Sequence, residues 1–262
     1  MFPERITNYI KNAAYTMNDV GLSGSRVYIF DRYVLKVQPK SEETDNEFEI
    51  LNWLDGACPA PKILEYVKED RLAYTLMTKI GGEMLCDEKY MKDPQRLIAL
   101  AAQALKMLWT VDVKDCPCSF SRLDRRLAEA RKNVENGTVD MDDAESETFG
   151  PGGFADPAEL LQWLENNRPE EDLVLTHGDF CLPNVFAQGD EITGFIDNGK
   201  MGPADRWQDI SILLRSLQRN FNGKYTGGVP YEGYEDSMLL DALGIEMDPE
   251  KNRYYMLLDE LF

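Results

Sequence analysis

Between His177 and Gly199 the chain sets Asp179, Asn184 and Asp197 at spacings that leave few folds open to it. Leu173-Val174-Leu175-Thr176 has strand character, so Asp179 falls where a strand gives way to a loop and can turn its carboxylate into a cleft. Asn184-Val185-Phe186 and Glu191 to Ile196 are two more strand-like runs, joined across the turn dipeptide Gly189-Asp190. The hairpin they predict brings Asn184, at its start, beside Asp197, at its end. An amide oxygen and a carboxylate at one end of a hairpin make a hard, oxygen-only site suited to Mg²⁺, which takes phosphate oxygens to complete its octahedron. Asp179, close by, can accept a proton from a hydroxyl that attacks a γ-phosphate.

Base, second metal ligand and first metal ligand are the roles of the kinase template, in which His-Arg-Asp, four residues and Asn precede Asp-Phe-Gly. Here Gly178 stands for the arginine and Asn198 for the phenylalanine. His-Gly-Asp with four residues and Asn, followed by Ile-Asp-x-Gly, resembles the signature of the aminoglycoside phosphotransferase and small-molecule kinase family. His177, the only histidine, is expected to hold the loop through a backbone hydrogen bond and not to act in the chemistry.

A phosphotransferase also needs a donor half, and its parts are present upstream. Gly21-Leu22-Ser23-Gly24-Ser25 precedes Val27 to Phe30, a turn at Asp31-Arg32, and Tyr33 to Val37, which reads as a hairpin with a small-residue loop in front. Ser23, with Gly24 and Ser25, can donate hydrogens to phosphate oxygens. Lys36 sits at the lysine position of Val-Ala-Ile-Lys. Ser41 to Gly56 reads as a helix whose inward stripe holds Glu47, Ile50, Leu51 and Leu54, and a carboxylate on a buried stripe wants a cation, here Lys36. After Tyr74 to Met77, two glycines break the chain at Thr78-Lys79-Ile80-Gly81-Gly82. By resemblance, this hinge offers backbone groups of Thr78 and Ile80 to adenine.

The expectation is therefore an α+β, bilobal protein-kinase-like fold. Residues 1–78 form a β-rich nucleotide-binding lobe, and residues 79–262 form a mainly helical lobe for catalysis and substrate. Helix starts are marked by Asp93-Pro94, Asp156-Pro157 and Asp248-Pro249, and an amphipathic helix runs from Asp205 to Asn220. Residues 136–153, acidic between glycines, read as a loop.

Few residues separate Gly199 from the helix carrying Trp207, which leaves no room for an activation segment and points to a small-molecule acceptor. The closing Arg253 to Phe262, the Gly-Leu-Ser loop, Cys86 to Tyr90 and Ala204 to Ile210 resemble the aminoglycoside 3'-phosphotransferases over essentially the whole chain. That resemblance implies Mg²⁺, ATP or GTP as co-substrate, and a role in antibiotic resistance. It carries substrate binding to Glu145, Glu147, Asp259, Glu260 and the Phe262 carboxylate, with Asp179 and Lys200 beside them.

Four positions depart from the family pattern. Lys200 replaces an arginine and cannot form a bidentate fork. Arg219 and Asn220 replace an acidic pair that contacts the antibiotic. Val34 stands where an aromatic stacks on adenine, while Tyr33 belongs to the other strand face.

With 47 acidic against 28 basic residues the net charge is −19, which argues against nucleic acid and suits a cationic substrate. No apolar run reaches the ~18 residues of a membrane span, so a cytoplasmic protein, monomeric or weakly dimeric, is expected. Five cysteines, with only Cys116 and Cys118 near each other, suggest reduced thiols. Two other readings stay open: a kinase of a macrolide, a choline-like amine or an amino sugar, and a non-catalytic binding protein with a kinase fold.

Overall fold

The computed structural model describes residues 2–11, 13–18, 25–141 and 144–262. Ser23, in the loop expected to cover phosphate, lies outside the described residues. A short helix α1 (Glu4–Ile10) precedes strands β1 (Thr16–Asn18), β2 (Arg26–Ile29) and β3 (Tyr33–Pro39), helix α2 (Glu42–Leu54), and strands β4 (Ile63–Glu69) and β5 (Leu72–Thr78). These five strands form one antiparallel sheet in the order β1-β2-β3-β5-β4.

The alternation of β3 sorts its side chains. Leu35 and Val37 are buried with Leu76, Ile6 and Ile10 in a small core between the sheet and α1. Lys36 and Val34 therefore face the other way, and Tyr33 packs edge-on against Tyr9 on the α1 side, as the register reading requires. Helix α2 begins in a reciprocal cap: Thr44 N–H donates to Ser41 Oγ, and Ser41 N–H donates to Thr44 Oγ1. Glu47, Ile50, Leu51 and Leu54 are all buried, so the stripe read from the sequence is the inward one.

Beyond Thr78 the chain turns helical, with β6 (Glu83–Met84), α3 (Glu88–Met91), α4 (Pro94–Trp109), α5 (Leu123–Asn136) and α6 (Pro157–Asn166). Strands β7 (Leu173–Thr176), β8 (Val185–Gln188), β9 (Glu191–Phe195) and β10 (Gly202–Asp205) lead into α7 (Arg206–Phe221), α8 (Ser237–Leu243) and α9 (Pro249–Asp259). The expected β-rich N-terminal part and mainly helical C-terminal part are both present. Asp93, Asp156 and Asp248 cap their helices through side-chain oxygens, each followed by a first-turn proline. The main core gathers leucines of α4, α6, α7 and α9 around Phe180 and Phe195. All five cysteines are free thiols, and among the described residues no helix is long and apolar enough to cross a membrane.

Two small ladders position the site. Strand β7 pairs antiparallel with β10, setting Thr176 opposite Gly202, and β8 pairs with β9, setting Val185 opposite Phe195. The loop after β7 and the loop after β9 are thereby laid side by side on the helical core.

Candidate active site

The loop after β7 is held from beneath by Asp209, a fully buried carboxylate on α7. His177 N–H donates to its Oδ2 at 2.7 Å and Gly178 N–H to its Oδ1 at 2.9 Å. Burial pushes the Asp209 carboxyl up to about 7, although the two amides pull it back. His177 does hold the loop: its Nε2–H donates to Ile196 O at 2.9 Å, since a carbonyl can only accept. Burial lowers its pKa and keeps the ring neutral. Gly178 has φ +80, and a Cβ there would run into the Lys200 carbonyl, so the side chain that the kinase template carries at this point has no room.

Asp179 and Asn184 then face each other. Asn184 Nδ2 donates to Asp179 O at 3.0 Å and to Asp179 Oδ2 at 3.2 Å, which turns the amide oxygen away from the carboxylate. Ile196 N–H donates to Asn184 O at 3.0 Å, so the hairpin brings Asn184 to the residue before Asp197, as the spacing implied. Asp197 takes a left-handed backbone with φ 57, which aspartate tolerates better than most residues, and its side chain is 52% exposed.

Lys36 joins the two halves of the molecule. Its Nζ lies 3.1 Å from Glu47 Oε1 and 2.7 Å from Asp197 Oδ1. Burial alone would lower its pKa, but the two carboxylates outweigh that and raise it, so the ammonium stays charged. Desolvation at the seam opposes ionisation of Asp197, but Lys36 outweighs it and holds the carboxyl below the usual range. Asn46, next to Glu47, donates both amide hydrogens across the seam, to Gly199 O and Met201 O, each at 2.9 Å. Ser121 Oγ donates to Lys200 O from the other side.

These residues suit a small hard cation that keeps other ligands. The Asn184 amide is oriented by Asp179 with its oxygen free to coordinate, and Asp197 is accessible. No group of three or more His, Cys, Asp or Glu side chains gathers into a self-sufficient metal cage among the described residues. One amide oxygen and one carboxylate leave the rest of an octahedral shell to phosphate oxygens and water.

On the acceptor side the structure corrects the sequence reading. Asp259 is paired with Arg215, and its other oxygen lies 3.5 Å from Arg126. Burial opposes ionisation, but the Arg215 and Arg126 guanidiniums hold its carboxyl low. Glu260, expected to face substrate, points inward with its side chain 3% exposed; it lies 3.5 Å from Arg215 and accepts the Glu145 N–H at 2.8 Å. Glu145 is itself bound by Arg219. Glu147 is exposed, and the Phe262 ring lies 3.7 Å beneath the Arg126 guanidinium. Asn220, read as part of a lost acidic pair, turns back to Ser216 O at 2.7 Å. Lys200 lies close enough to act electrostatically on both Asp197 and Asp259.

At the hinge, Thr78 N–H donates to Lys62 O at 3.0 Å, so this amide belongs to the sheet and is not offered to the cleft. Ile80 has no backbone partner among the described residues, and its side chain rests on Gly194. Asn46, Asp209, Arg126 and Arg215 escaped the sequence reading. Asp209 left one trace, a carboxylate next to Ile210 on the apolar face of the Asp205 to Asn220 helix.

Residues 16–234 match the model of the phosphotransferase enzyme family, APH. An aminoglycoside 3'-phosphotransferase of Enterococcus faecalis is 37% identical over 222 residues, covering 84% of this chain and 79% of the relative. One of Niallia circulans is 34% identical, covering 100% and 97%. The crystal structure of an aminoglycoside-3'-phosphotransferase of type VIII superposes with a TM-score of 0.77 at 28% identity, covering 95% of this chain and 94% of that one. With a bilobal, kinase-like architecture, two carboxylates and an amide below the lysine of its sheet, and a family match over residues 16–234, the chain belongs to the phosphotransferase enzyme family.

Proposed function

We propose that the protein transfers the γ-phosphoryl group of ATP or GTP to a hydroxyl of an aminoglycoside, with Mg²⁺, and so confers resistance to the antibiotic. The observation that carries this reading is the convergence of Lys36, Asp197, Asn184 and Asp179 on one seam between sheet and helices. Residues 1–78 act as the nucleotide lobe and 79–262 as the catalytic and acceptor lobe. Lys36, oriented by Glu47, binds the α- and β-phosphates, and Ile80 presents its free backbone groups to the base. Asn184 Oδ1 and Asp197 hold Mg²⁺, which when bound neutralises phosphate charge and fixes the phosphates for in-line attack. Asp179, kept in place by the Asn184 amide, orients the acceptor hydroxyl and takes its proton as the bond to phosphorus forms.

The acceptor is drawn in by the net charge of −19 and met by Glu147 and the Phe262 carboxylate. The relatives named above are aminoglycoside 3'-phosphotransferases, which supports both the acceptor class and the 3' position. Turnover with ATP and Mg²⁺ on kanamycins, neomycin, paromomycin, erythromycin, choline and glucosamine tests the reading. It predicts phosphorylated aminoglycosides. A flat response to every aminoglycoside, with turnover of one of the other three, would replace them with that acceptor.

A further inference from the structure

Beside Asp179 the carboxylates are matched by arginines from inside the fold. Arg126 of α5 and Arg215 and Arg219 of α7 meet Asp259, Glu260 and Glu145. This group adjoins the reaction centre, because Arg126 responds electrostatically to both Asp259 and Asp179. Among the described residues of this wall three guanidiniums face three side-chain carboxylates, so its local charge differs from that of the whole chain.

Arg219 is the member that reaches outward. Its side chain is 4% exposed, while that of Glu145 is 42% exposed. Two nitrogens on one edge of the guanidinium, Nε at 3.0 Å and Nη2, converge on Glu145 Oε1, and Nη1 donates to the Tyr225 hydroxyl. The Tyr225 ring lies 5.4 Å from the same guanidinium. The backbone of Glu145 is fixed, because its N–H donates to Glu260, which faces Arg215, and its carboxylate is held by Arg219. An ammonium group arriving at Glu145 would have to share one carboxylate with a buried, anchored cation, and like charges at such range repel. A hydroxyl meets no such opposition.

We propose that Arg219 is a specificity-determining residue: by holding Glu145 it closes one ammonium subsite and selects, among aminoglycosides, those that present hydroxyls to α7. This inference rests on the acceptor class proposed above.

A double-mutant cycle of Glu145→Gln and Arg219→Gln tests it, using acceptors that differ by one ammonium in place of a hydroxyl, such as neomycin B with paromomycin and kanamycin B with kanamycin A. Glu145→Gln alone is expected to change acceptor KM by less than about twofold, because the charge of the carboxylate is already balanced by Arg219. In the Arg219→Gln background the same change raises KM for the ammonium-rich member about fivefold, the range of a partly exposed ion pair. Arg219→Gln alone lowers KM for that member selectively. A fivefold effect of Glu145→Gln in the wild-type background, or an equal shift for both members of every pair, would overturn the proposal. Should Arg219→Gln fail to fold, Tyr225→Phe loosens the same anchor without changing charge and is expected to shift selectivity in the same direction; no shift overturns the proposal. Absence of turnover on any aminoglycoside overturns the functional reading and this inference together, whereas turnover without the selectivity shift overturns the inference alone.

Discussion

Lys36 and Asp197, one on the N-terminal sheet and one on the loop after β9, are 2.7 Å apart, and Glu47 braces the same ammonium at 3.1 Å. The lysine thus has two anionic partners, of which Glu47 is buried and Asp197 half exposed. Replacing Glu47 by Gln leaves the ammonium with a single charged partner and a looser position. Nucleotide KM should rise about tenfold while acceptor KM stays within about twofold, as expected for the loss of one charge-assisted hydrogen bond on the donor side. Steady-state kinetics with each substrate varied in turn measure this, and an unchanged nucleotide KM would show that Glu47 does not position Lys36.

Asn46 stitches α2 to the same loop through two buried hydrogen bonds to carbonyls. Asn46→Leu keeps the branched shape and removes both donors, so Gly199 O and Met201 O lose these partners. The expected loss of stability is about 2 kcal/mol. The Mg²⁺ concentration for half-maximal nucleotide binding should rise as Asp197 loses its fixed place. Denaturant unfolding and a fluorescent-nucleotide titration read the two effects; loss of stability with unaltered Mg²⁺ dependence would limit Asn46 to a structural role.

Asp209 makes stability depend on pH in a direction opposite to that of paired carboxylates. Its folded pKa is raised to about 7 from an ordinary value of 3.8, so the folded state binds the proton more tightly than the unfolded chain does. The contribution is fully present below the unfolded value and is lost as pH rises through the folded one. Wild type should therefore lose stability relative to Asp209→Asn between pH ~4 and ~7, with a slope approaching about 1.4 kcal/mol per pH unit, and the difference should level off above. Urea unfolding of both proteins across that range checks it, and a difference that does not vary with pH would mean Asp209 is ionised throughout.

Gly178 admits no side chain, for both its positive φ and its approach to the Lys200 carbonyl forbid one. Gly178→Ala should destabilise by about 2 kcal/mol or more and reduce turnover by displacing Asp179. A variant with wild-type melting behaviour and wild-type turnover would contradict the stated packing.

The pairing of Lys36 with Glu47 and the meeting of Asn184 with the stretch before Asp197 were legible in the sequence because they obey simple periods. A strand alternation of two separates Lys36 from Leu35 and Val37, a helical stripe carries Glu47 inward, and a hairpin sets Asn184 against the stretch that ends at Asp197. Asn46 and Asp209 were not legible because their partners are backbone groups, which leave no mark in a residue string. The acceptor side misled for a different reason. Glu260 and Asp259 look like free acids near the end of a chain, and only the packing of α9 against α7 and α5 sets Arg215 and Arg126 beside them. Thr78 was read as the first residue of the hinge, whereas it closes β5 and its amide donates to the carbonyl of Lys62, just before β4, a partner that local sequence does not display.

The central claim is that Asp179 serves the acceptor hydroxyl while Lys36, Asn184 and Asp197 serve the nucleotide. Comparing Asp179→Asn with wild type in two assays, Mg²⁺-nucleotide affinity and phosphoryl transfer to an aminoglycoside, separates the two halves of the site. The account predicts nucleotide affinity within about twofold of wild type and kcat lower by about 10²- to 10⁴-fold, the usual contribution of a positioned base. Turnover unchanged by the substitution would contradict it.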